Sequence, residues 1–354
     1  MKFIKKERAV ALLIAVSFVA LLTALITDYG YETRIYFKEM NGYKKWIKAR
    51  NIALSGFEGA KALLKEDIDE DRSEKNYPNI DFYVSGDELD LQQEIWSQVK
   101  RIPFEVEVGG EKGLIIGNIV DEMGKLNINS LVDTAGKESR GVKNVFIRFF
   151  DIMGAESPEE VVNALIDWID PDDEGLYESS FYSSIEHPYS PRNFLFMSLS
   201  ELKLIKVINE DLKKVLFPLG NDDPLSSPYL TAFPLSTGTN AFLINVNTAP
   251  KEVLMSLHIN IDEEVAEEII KRREEEPFRS PTEFITYLRD EFNIKFESTN
   301  PQESFVQGQL RTSSMYFSIL SIGVVGDITS TIRAVVMRSG GAPKEFPILY
   351  FRME

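Results

Sequence analysis

The sequence predicts an α+β protein in which a long N-terminal helix packs on an antiparallel sheet and a large helical domain is inserted into the sheet sequence. Three observations support this prediction. An uncharged run of 19 residues continues into helix-forming sequence, β-branched runs occur before residue 130 and after residue 313, and helix start signals lie between them. The chain has 354 residues, 44% of them hydrophobic, so two domains with real cores are possible.

The first predicted element is a helix over residues 10–65, with a transmembrane part at about 10–27. As a helix, 19 residues cover about 28 Å, close to the thickness of a bilayer core. Basic residues precede the run: Lys2, Lys5, Lys6 and Arg8. The positive-inside rule therefore predicts a single-pass inner-membrane protein with a cytoplasmic N-terminus and a periplasmic globular part. A cleaved secretory signal has only a weak small-residue site here, and an uncleaved signal anchor stays open.

The predicted sheet domain comprises residues 66–129 and 310–354. Its polar start, residues 67–90, is predicted to be a loop. Strands follow in "FEVEVGG" and "KGLIIGNIVDEMGKLNIN", with Gly109-Gly110 as the turn between them. The β pattern returns in "MYFSILSIGVVGDITSTIRAVVMRS" and "FPILYFRM", with a turn at Gly326-Asp327.

Residues 130–309 are predicted to form the inserted helical domain. Three capping boxes mark helix starts, "SPEE" at Ser157, "SLSE" at Ser198 and "SPTE" at Ser280. The stretch at about 244–290 resembles a helix-hairpin-helix module of DNA-binding proteins. Its hairpin, "HINID", has no glycine and is surrounded by acidic residues, and the chain carries a net charge of -17. Both features oppose binding to phosphates, so we expect no nucleic-acid partner and interpret the module as a protein-contact scaffold.

The segment "DWIDPDDEGLYESSFY" concentrates carboxylates around a proline and a glycine. Asp170, Asp172 and Glu174 alternate and Gly175 follows, as in the first half of an EF-hand loop, but the twelfth position is Phe181 instead of glutamate. The segment is therefore not an EF-hand. Crowded carboxylates repel one another, and Ca²⁺ would relieve the repulsion. The alternative is a solvated Asp-Pro-Asp turn that ends a helix.

The composition gives little support for catalysis. The chain has no cysteine and only two histidines, which excludes disulfides, thiolate catalysis and zinc-thiolate sites. The sequence has no nucleophile elbow, P-loop, dinucleotide fingerprint or zinc-protease motif. We predict that the protein is not an enzyme. The alternative is a membrane-anchored Ca²⁺-dependent enzyme that uses the carboxylates of the acidic segment.

The N-terminal pattern, a short basic leader before an apolar half-helix that continues into an amphipathic one, resembles the type IV pilins and pseudopilins. In that class a prepilin peptidase cleaves before the apolar segment and methylates the new N-terminus. The resemblance places this cut between Ala9 and Val10, after a leader of residues 1–9. Alanine stands where the class usually has glycine, and Ile14 stands where most members have glutamate.

Further motifs are similar to those of K-type minor pseudopilins of type II secretion, a subfamily that also lacks the glutamate. They are "IVDEMGKLNINSL" from Ile119, "LIDWIDPDDE" from Leu165, "YESSFYSSIEHPYSPRNFLFMSLSEL" from Tyr177, "INVNTAPKEVLMSL" from Ile244 and "YFSILSIGVVG" from Tyr316. The resemblance implies a tip complex with I-type and J-type minor pseudopilins. This complex would start or cap a periplasmic pseudopilus of major pseudopilin for export across the outer membrane.

The resemblance also implies site residues. K-type proteins bind Ca²⁺ in the helical domain, which suggests Asp170, Asp172 and Glu178 as ligands, with Asp167, Asp173 and Glu174 as alternatives. Partner helices would pack on the apolar residues Leu12, Leu13, Ile14, Val16, Leu21 and Leu22, which otherwise only face lipid. A membrane-anchored periplasmic helix-hairpin-helix protein, as in DNA uptake, is the alternative function.

Overall fold

The computed structural model describes residues 2–73, 103–218, 227–238, 241–296, 301–338 and 346–354. The sheet domain begins with helix α1 and strands β1 and β2, which are Lys2–Ser73, Pro103–Val108 and Glu111–Asp121. The inserted part then contains β3 (Leu126–Asn127), α2 (Arg140–Ile152), α3 (Pro158–Ile169), α4 (Ser179–Ser184), α5 (Glu210–Leu216), β4 (Leu230–Thr231), β5 (Ile244–Asn245), α6 (Lys251–Leu257), α7 (Glu263–Glu275), α8 (Pro281–Phe292), α9 (Pro301–Gln309) and β6 (Leu310–Arg311). The chain ends with β7 (Tyr316–Val325), β8 (Ile328–Met337) and β9 (Ile348–Met353).

Helix α1 is longer than the sequence predicts. It spans Lys2–Ser73, 72 residues, whereas the sequence predicts a helix over residues 10–65. The helix therefore begins inside the basic leader. Residues 67–73, predicted as a loop, continue the helix because no glycine or proline occurs between Gly59 and Ser73 to end it. The rest of the predicted loop, apart from residues 67–73, lies outside the described residues.

Helix α1 continues through Gly56, where its close approach to the sheet requires a small residue. A Cβ at Gly56 would lie 2.3 Å from Ser321 Oγ, and one at Gly323 of the sheet would lie 2.0 Å from the carbonyl oxygen of Ala49. Close packing of the helix on the sheet thus offsets the propensity cost of a helical glycine, about 1 kcal/mol. Phe57 and Leu64 are buried against this surface of the sheet.

The five long strands form one antiparallel sheet in the order β1-β2-β7-β8-β9. Gly109 and Gly110 both have positive φ in the β1–β2 turn, and Gly326 has positive φ in the β7–β8 turn. Sequence from both sides of the helical region therefore builds one sheet. The predicted α+β class is confirmed.

The inserted domain has its own core of large aromatic and aliphatic side chains, including Phe146, Phe149, Trp168 and Phe196. The three predicted capping boxes differ in the structure. Ser198 forms the full box but starts a 3₁₀ turn, and Ser280 accepts from Glu283 N–H while Glu283 accepts from Arg279 N–H. Ser157 makes no capping hydrogen bond, so that prediction was wrong; Glu160 interacts with the Tyr177 hydroxyl instead.

Candidate metal centre

Three carboxylates meet where helix α3 ends and α4 begins. One oxygen from each of Asp167, Asp170 and Glu178 lies within 4.8 Å of the others, and all three residues are buried. Asp167 is in the last turn of α3, Asp170 is its C-cap, and Glu178 is the N-cap of α4. A short loop that begins with a proline thus brings the start of α4 close to the end of α3.

The local sequence explains this geometry. Pro171 disfavours helical backbone at Asp170, so α3 ends there with Asp170 in an extended conformation. The loop then passes directly over Asp167, because a Cβ at Gly175 would lie 2.4 to 2.6 Å from the Asp167 carboxyl atoms. The Tyr177 N–H donates to Asp167 Oδ2 at 2.8 Å, which fixes this carboxylate beneath the loop.

Three of the carboxylate oxygens lack donors among the described residues. Among the described residues, Asp170 Oδ1 and both carboxylate oxygens of Glu178 have no hydrogen-bond partner, although Glu178 is only 1% exposed. Burying an unpaired charge is costly, so such a group must be protonated or bind a cation. A further buried oxygen without a partner among the described residues is Asn193 Oδ1, and the Asn193 amide nitrogen donates to the Asp172 carbonyl at 2.8 Å.

The electrostatics agree with this geometry. Burial raises the pKa of Asp170 to about 7, with Asp172 and Asp167 adding to the shift. Burial also raises the pKa of Glu178 to about 8, and Asp167 and Asp170 add to it. Burial raises the pKa of Asp167 as well, while hydrogen bonds from the Tyr177 and Leu176 N–H groups oppose the change. Neighbouring carboxylates therefore add to burial in opposing ionisation of Asp170 and Glu178.

The donor set fits a hard divalent cation. Three carboxylates offer the oxygen ligands that Ca²⁺ prefers, whereas zinc sites usually contain cysteine or histidine. Ca²⁺ takes about six to eight oxygens, so backbone oxygens, water or the Asn193 amide oxygen would complete its shell. These residues would hold the ion, and the ion would supply the positive charge that the buried oxygens lack.

The structure distributes the sequence-predicted ligands unevenly. Asp170 and Glu178 lie together with Asp167, which was predicted as an alternative. Asp172, Asp173 and Glu174 are exposed; Asp172 Oδ1 accepts from Glu174 N–H and Asp173 Oδ1 from Ser179 N–H. Asn193 is not among the ligands predicted from the sequence. Its left-handed backbone, with φ of 48°, suits asparagine, but that signal is visible only in the structure.

The N-terminal apolar residues form a second candidate surface. Helix α1 is long and apolar enough to cross a membrane, and its apolar stretch near the N-terminus is not buried against the rest of the chain. Ala9 and Val10 lie inside this helix. The predicted packing residues are exposed by 43 to 68%: Leu12, Leu13, Ile14, Val16, Leu21 and Leu22.

Comparisons with known proteins agree on one family. Residues 124–219 and 244–290 each match a family model described as type II secretion system protein K. The chain is 25% identical over 342 residues to a type II secretion system protein K from Pseudomonas aeruginosa, covering 94% of this chain and 89% of the relative. It is 27% identical over 253 residues to the protein of that name from Pectobacterium carotovorum, covering 69% and 67%.

A solved structure has a similar fold. The crystal structure of the GspK-GspI-GspJ complex of enterotoxigenic Escherichia coli contains a chain that matches with a TM-score of 0.66. The match covers 89% of this chain and 99% of that chain at 16% identity, so it shows the fold. A long N-terminal helix, an antiparallel sheet and further helices are thus the architecture of a known assembly subunit.

Proposed function

Because the chain belongs to the protein K family of the type II secretion system, we propose that it is a minor pseudopilin. It joins I-type and J-type minor pseudopilins in a tip complex, a proposal supported by the GspK-GspI-GspJ complex that contains the matched chain. This complex starts or caps a periplasmic pseudopilus of major pseudopilin for protein export across the outer membrane. The alternative of a DNA-uptake protein is disfavoured by the acidic charge of -17.

The observation that supports this function is the division of α1. Its first part presents exposed apolar residues to lipid or partner helices, and its second part is buried beneath the sheet. The same helix can therefore anchor the subunit and later pack in a filament. The body beyond residue 65, about 290 residues, has an expected radius of gyration of roughly 19 Å, too wide for repeated stacking along a thin pilus. This size favours an end position.

The tip assignment is tested with the full-length protein. We expect it to co-purify from detergent-solubilised membranes with tagged I-type and J-type subunits of the same system. A Leu12→Glu, Val16→Glu double variant places charges on the exposed apolar part, and we expect it to lose membrane insertion and secretion. The matched control, Leu12→Ile with Val16→Ile, should retain both. Absence of co-purification by the unmodified protein would contradict the tip complex.

The N-terminus is proposed to lie in the cytoplasm, and the leader to be removed between Ala9 and Val10. The four basic residues before the apolar run support both steps. Intact-mass analysis of protein from cells with its own prepilin peptidase should give a chain that begins at Val10, with an N-methyl group. An intact Met1 would contradict processing. In spheroplasts, added protease should digest the globular part.

We also propose that Asp167, Asp170 and Glu178 bind Ca²⁺. Their buried, unpaired oxygens support this site more directly than the sequence spacing does. A ligand that binds only the folded state stabilises it by RT ln(1 + [L]/Kd), about 2.7 kcal/mol at a hundredfold excess over Kd. Excess CaCl2 should therefore raise the melting temperature of the full-length protein in detergent, and a chelator should reverse the rise. An equal melting temperature under both conditions would contradict the site.

A structural role without catalysis is part of the proposal. Of the two histidines, His187 is exposed and His258 is buried against Phe296 and near Glu303. The carboxylates are thus proposed to hold an ion and not to serve as a base. Hydrolysis of a substrate that disappears in Asp170→Ala would revive the Ca²⁺-dependent enzyme.

A further inference from the structure

The chain passes between the sheet and the inserted domain twice, and both passages meet at one buried side chain. The first passage leaves β2 at its last residue, Asp121, and the second returns through Ser314 to β7. Asp121 is 6% exposed. A carboxylate at such a place needs donors from its surroundings, and here they come from distant parts of the chain.

Four groups donate to this carboxylate. Oδ2 accepts from the Thr248 hydroxyl at 2.5 Å, from the Ser314 hydroxyl at 2.6 Å and from the Asn245 amide at 3.3 Å. Oδ1 accepts from the Met123 N–H at 2.7 Å. Asn245 is the last residue of β5 in the inserted domain, Thr248 lies between β5 and α6, and Ser314 belongs to the return passage. One side chain thus joins three chain segments.

Only an ionised aspartate satisfies this arrangement completely. A carboxylate is acceptor-only and has about four lone-pair sites, whereas an asparagine offers one acceptor oxygen and two additional N–H donors. Burial raises the pKa of Asp121, and the hydrogen bonds from Ser314 and Thr248 oppose that rise. The site stabilises the carboxylate with hydroxyl and amide donors.

Backbone contacts reinforce the junction. The Asn245 N–H donates to the Met123 carbonyl at 2.8 Å, and the Glu122 N–H donates to the Tyr316 carbonyl at 2.9 Å. Gly124 allows the passage to approach Thr248, since a Cβ there would lie 2.9 Å from the Thr248 hydroxyl oxygen. These contacts hold the segment from Asn245 to Thr248 against the residues that follow β2.

An apolar contact lies on the other side of the same junction. Phe233 of the inserted domain packs on Tyr350 of β9 with ring centroids 6.0 Å apart, and Val335 of β8 belongs to the core of the inserted domain. Apolar contact is not directional, so it leaves the orientation of the two domains less defined than hydrogen bonds do. The polar cluster supplies this directional part.

We propose that Asp121 is a positioning residue that locks the inserted helical domain onto the sheet, so that the two parts unfold and move as one body. Helix α1 packs on β2, β7 and β8, and the lock lies at the ends of β2 and β7. Displacement of α1 is thereby transmitted to the helical domain. This inference is independent of Ca²⁺ binding and of the partners proposed above.

The test compares the unfolding of the two parts in the full-length protein in detergent. Pulsed hydrogen exchange with mass spectrometry follows peptides of β7–β8 and of α2–α3 across a urea titration. In the unmodified protein both sets should have one midpoint. In Asp121→Asn the two midpoints should separate by about 1 M urea, since uncoupled parts keep their own stability and slope. The matched control is Asp133→Asn, because Asp133 accepts from Ala135 and Lys137 N–H within its own loop.

Two results would overturn the lock. One is a single midpoint in Asp121→Asn that moves equally for both peptide sets, which is the behaviour of a residue that only contributes stability. The other is a pair of separate midpoints in the unmodified protein. If Asp121→Asn does not fold, Thr248→Val removes one donor with little change of shape. Separate midpoints for the two peptide sets in this variant would support the lock, and a single midpoint would contradict it.

Discussion

Two buried acidic sites in this chain are similar in burial and opposite in environment. Asp121 receives four hydrogen bonds from hydroxyl, amide and backbone donors. Asp170 and Glu178 face each other and Asp167, and three of their oxygens have no partner among the described residues. Burial of a carboxylate is thus not by itself the sign of a ligand site. The missing donors are the sign, because an unpaired buried oxygen needs a proton or a cation.

The largest expected effect comes from removing the satisfied carboxylate. Asp121→Ala leaves four donors buried without an acceptor, and we expect a loss of about 3 kcal/mol or more in the free energy of unfolding. Denaturant unfolding of the full-length protein in detergent measures it. Asp133→Ala, in a half-buried loop of one domain, should cost clearly less. Equal losses of unfolding free energy in both variants would mean that the hydrogen bonds of Asp121 stabilise the protein no more than those of Asp133 do.

The next largest effect is expected at the site whose carboxylate oxygens have no hydrogen-bond partner among the described residues. Glu178→Gln removes one ionisable group from the three, so the repulsion falls while the shape is kept. With a chelator at about pH 8.5 the variant should melt above the unmodified protein, and with excess CaCl2 it should melt below it. Thermal unfolding of both proteins in both buffers shows whether the order of their melting temperatures reverses. If the order of the two proteins is the same in both buffers, the oxygens of Glu178 do not bind the ion.

A pH dependence follows from the same carboxylates. Their folded pKa values, about 7 for Asp170 and about 8 for Glu178, lie above the ordinary 3.8 and 4.5. The folded state therefore holds these protons more tightly than the unfolded state does. The associated stability is present below about pH 4 and is lost as the pH rises to about 8. Melting curves in chelator over this range should show it, and Glu178→Gln should show a smaller loss.

The same titration predicts the pH dependence of Ca²⁺ affinity. The ligands must release their protons before they bind the ion, so affinity should rise from about pH 5 to pH 8. Calorimetric titration at several pH values measures this rise and the protons released. An affinity that does not change over the range would place the ion on other residues.

The smallest effect is expected at Asp172, which the sequence predicted as a ligand. Its exposed carboxylate accepts from Glu174 N–H at 2.9 Å, a bond that asparagine preserves. Asp172→Asn should therefore change the Ca²⁺-induced rise in melting temperature much less than Asp170→Asn does. A complete loss of the rise in Asp172→Asn would restore the ligand set predicted from the sequence.

Local rules predicted the parts of this protein that depend on short-range patterns. The apolar run and helical spacing predicted α1, and the β-branched runs with glycine turns predicted strands on both sides of the insertion. These signals act within a few residues along the chain, so they can be recognised in the sequence alone. Capping boxes were less informative, because Ser198 forms the full box but starts a 3₁₀ turn, and Ser157 makes no cap while Glu160 interacts with Tyr177.

The sequence by itself determined the class of the fold, the anchor and the position of an acidic segment. The choice among the acidic residues was made by the tertiary structure: Pro171 and Gly175 bend the loop so that Asp167 and Glu178 approach Asp170 while Asp172 stays in solvent. The role of Asp121 likewise depends on donors 124 and 193 residues away along the chain. Hydrogen bonds and charge repulsion act over a few ångströms, so neighbours in space, and not in sequence, decide which buried carboxylate is satisfied.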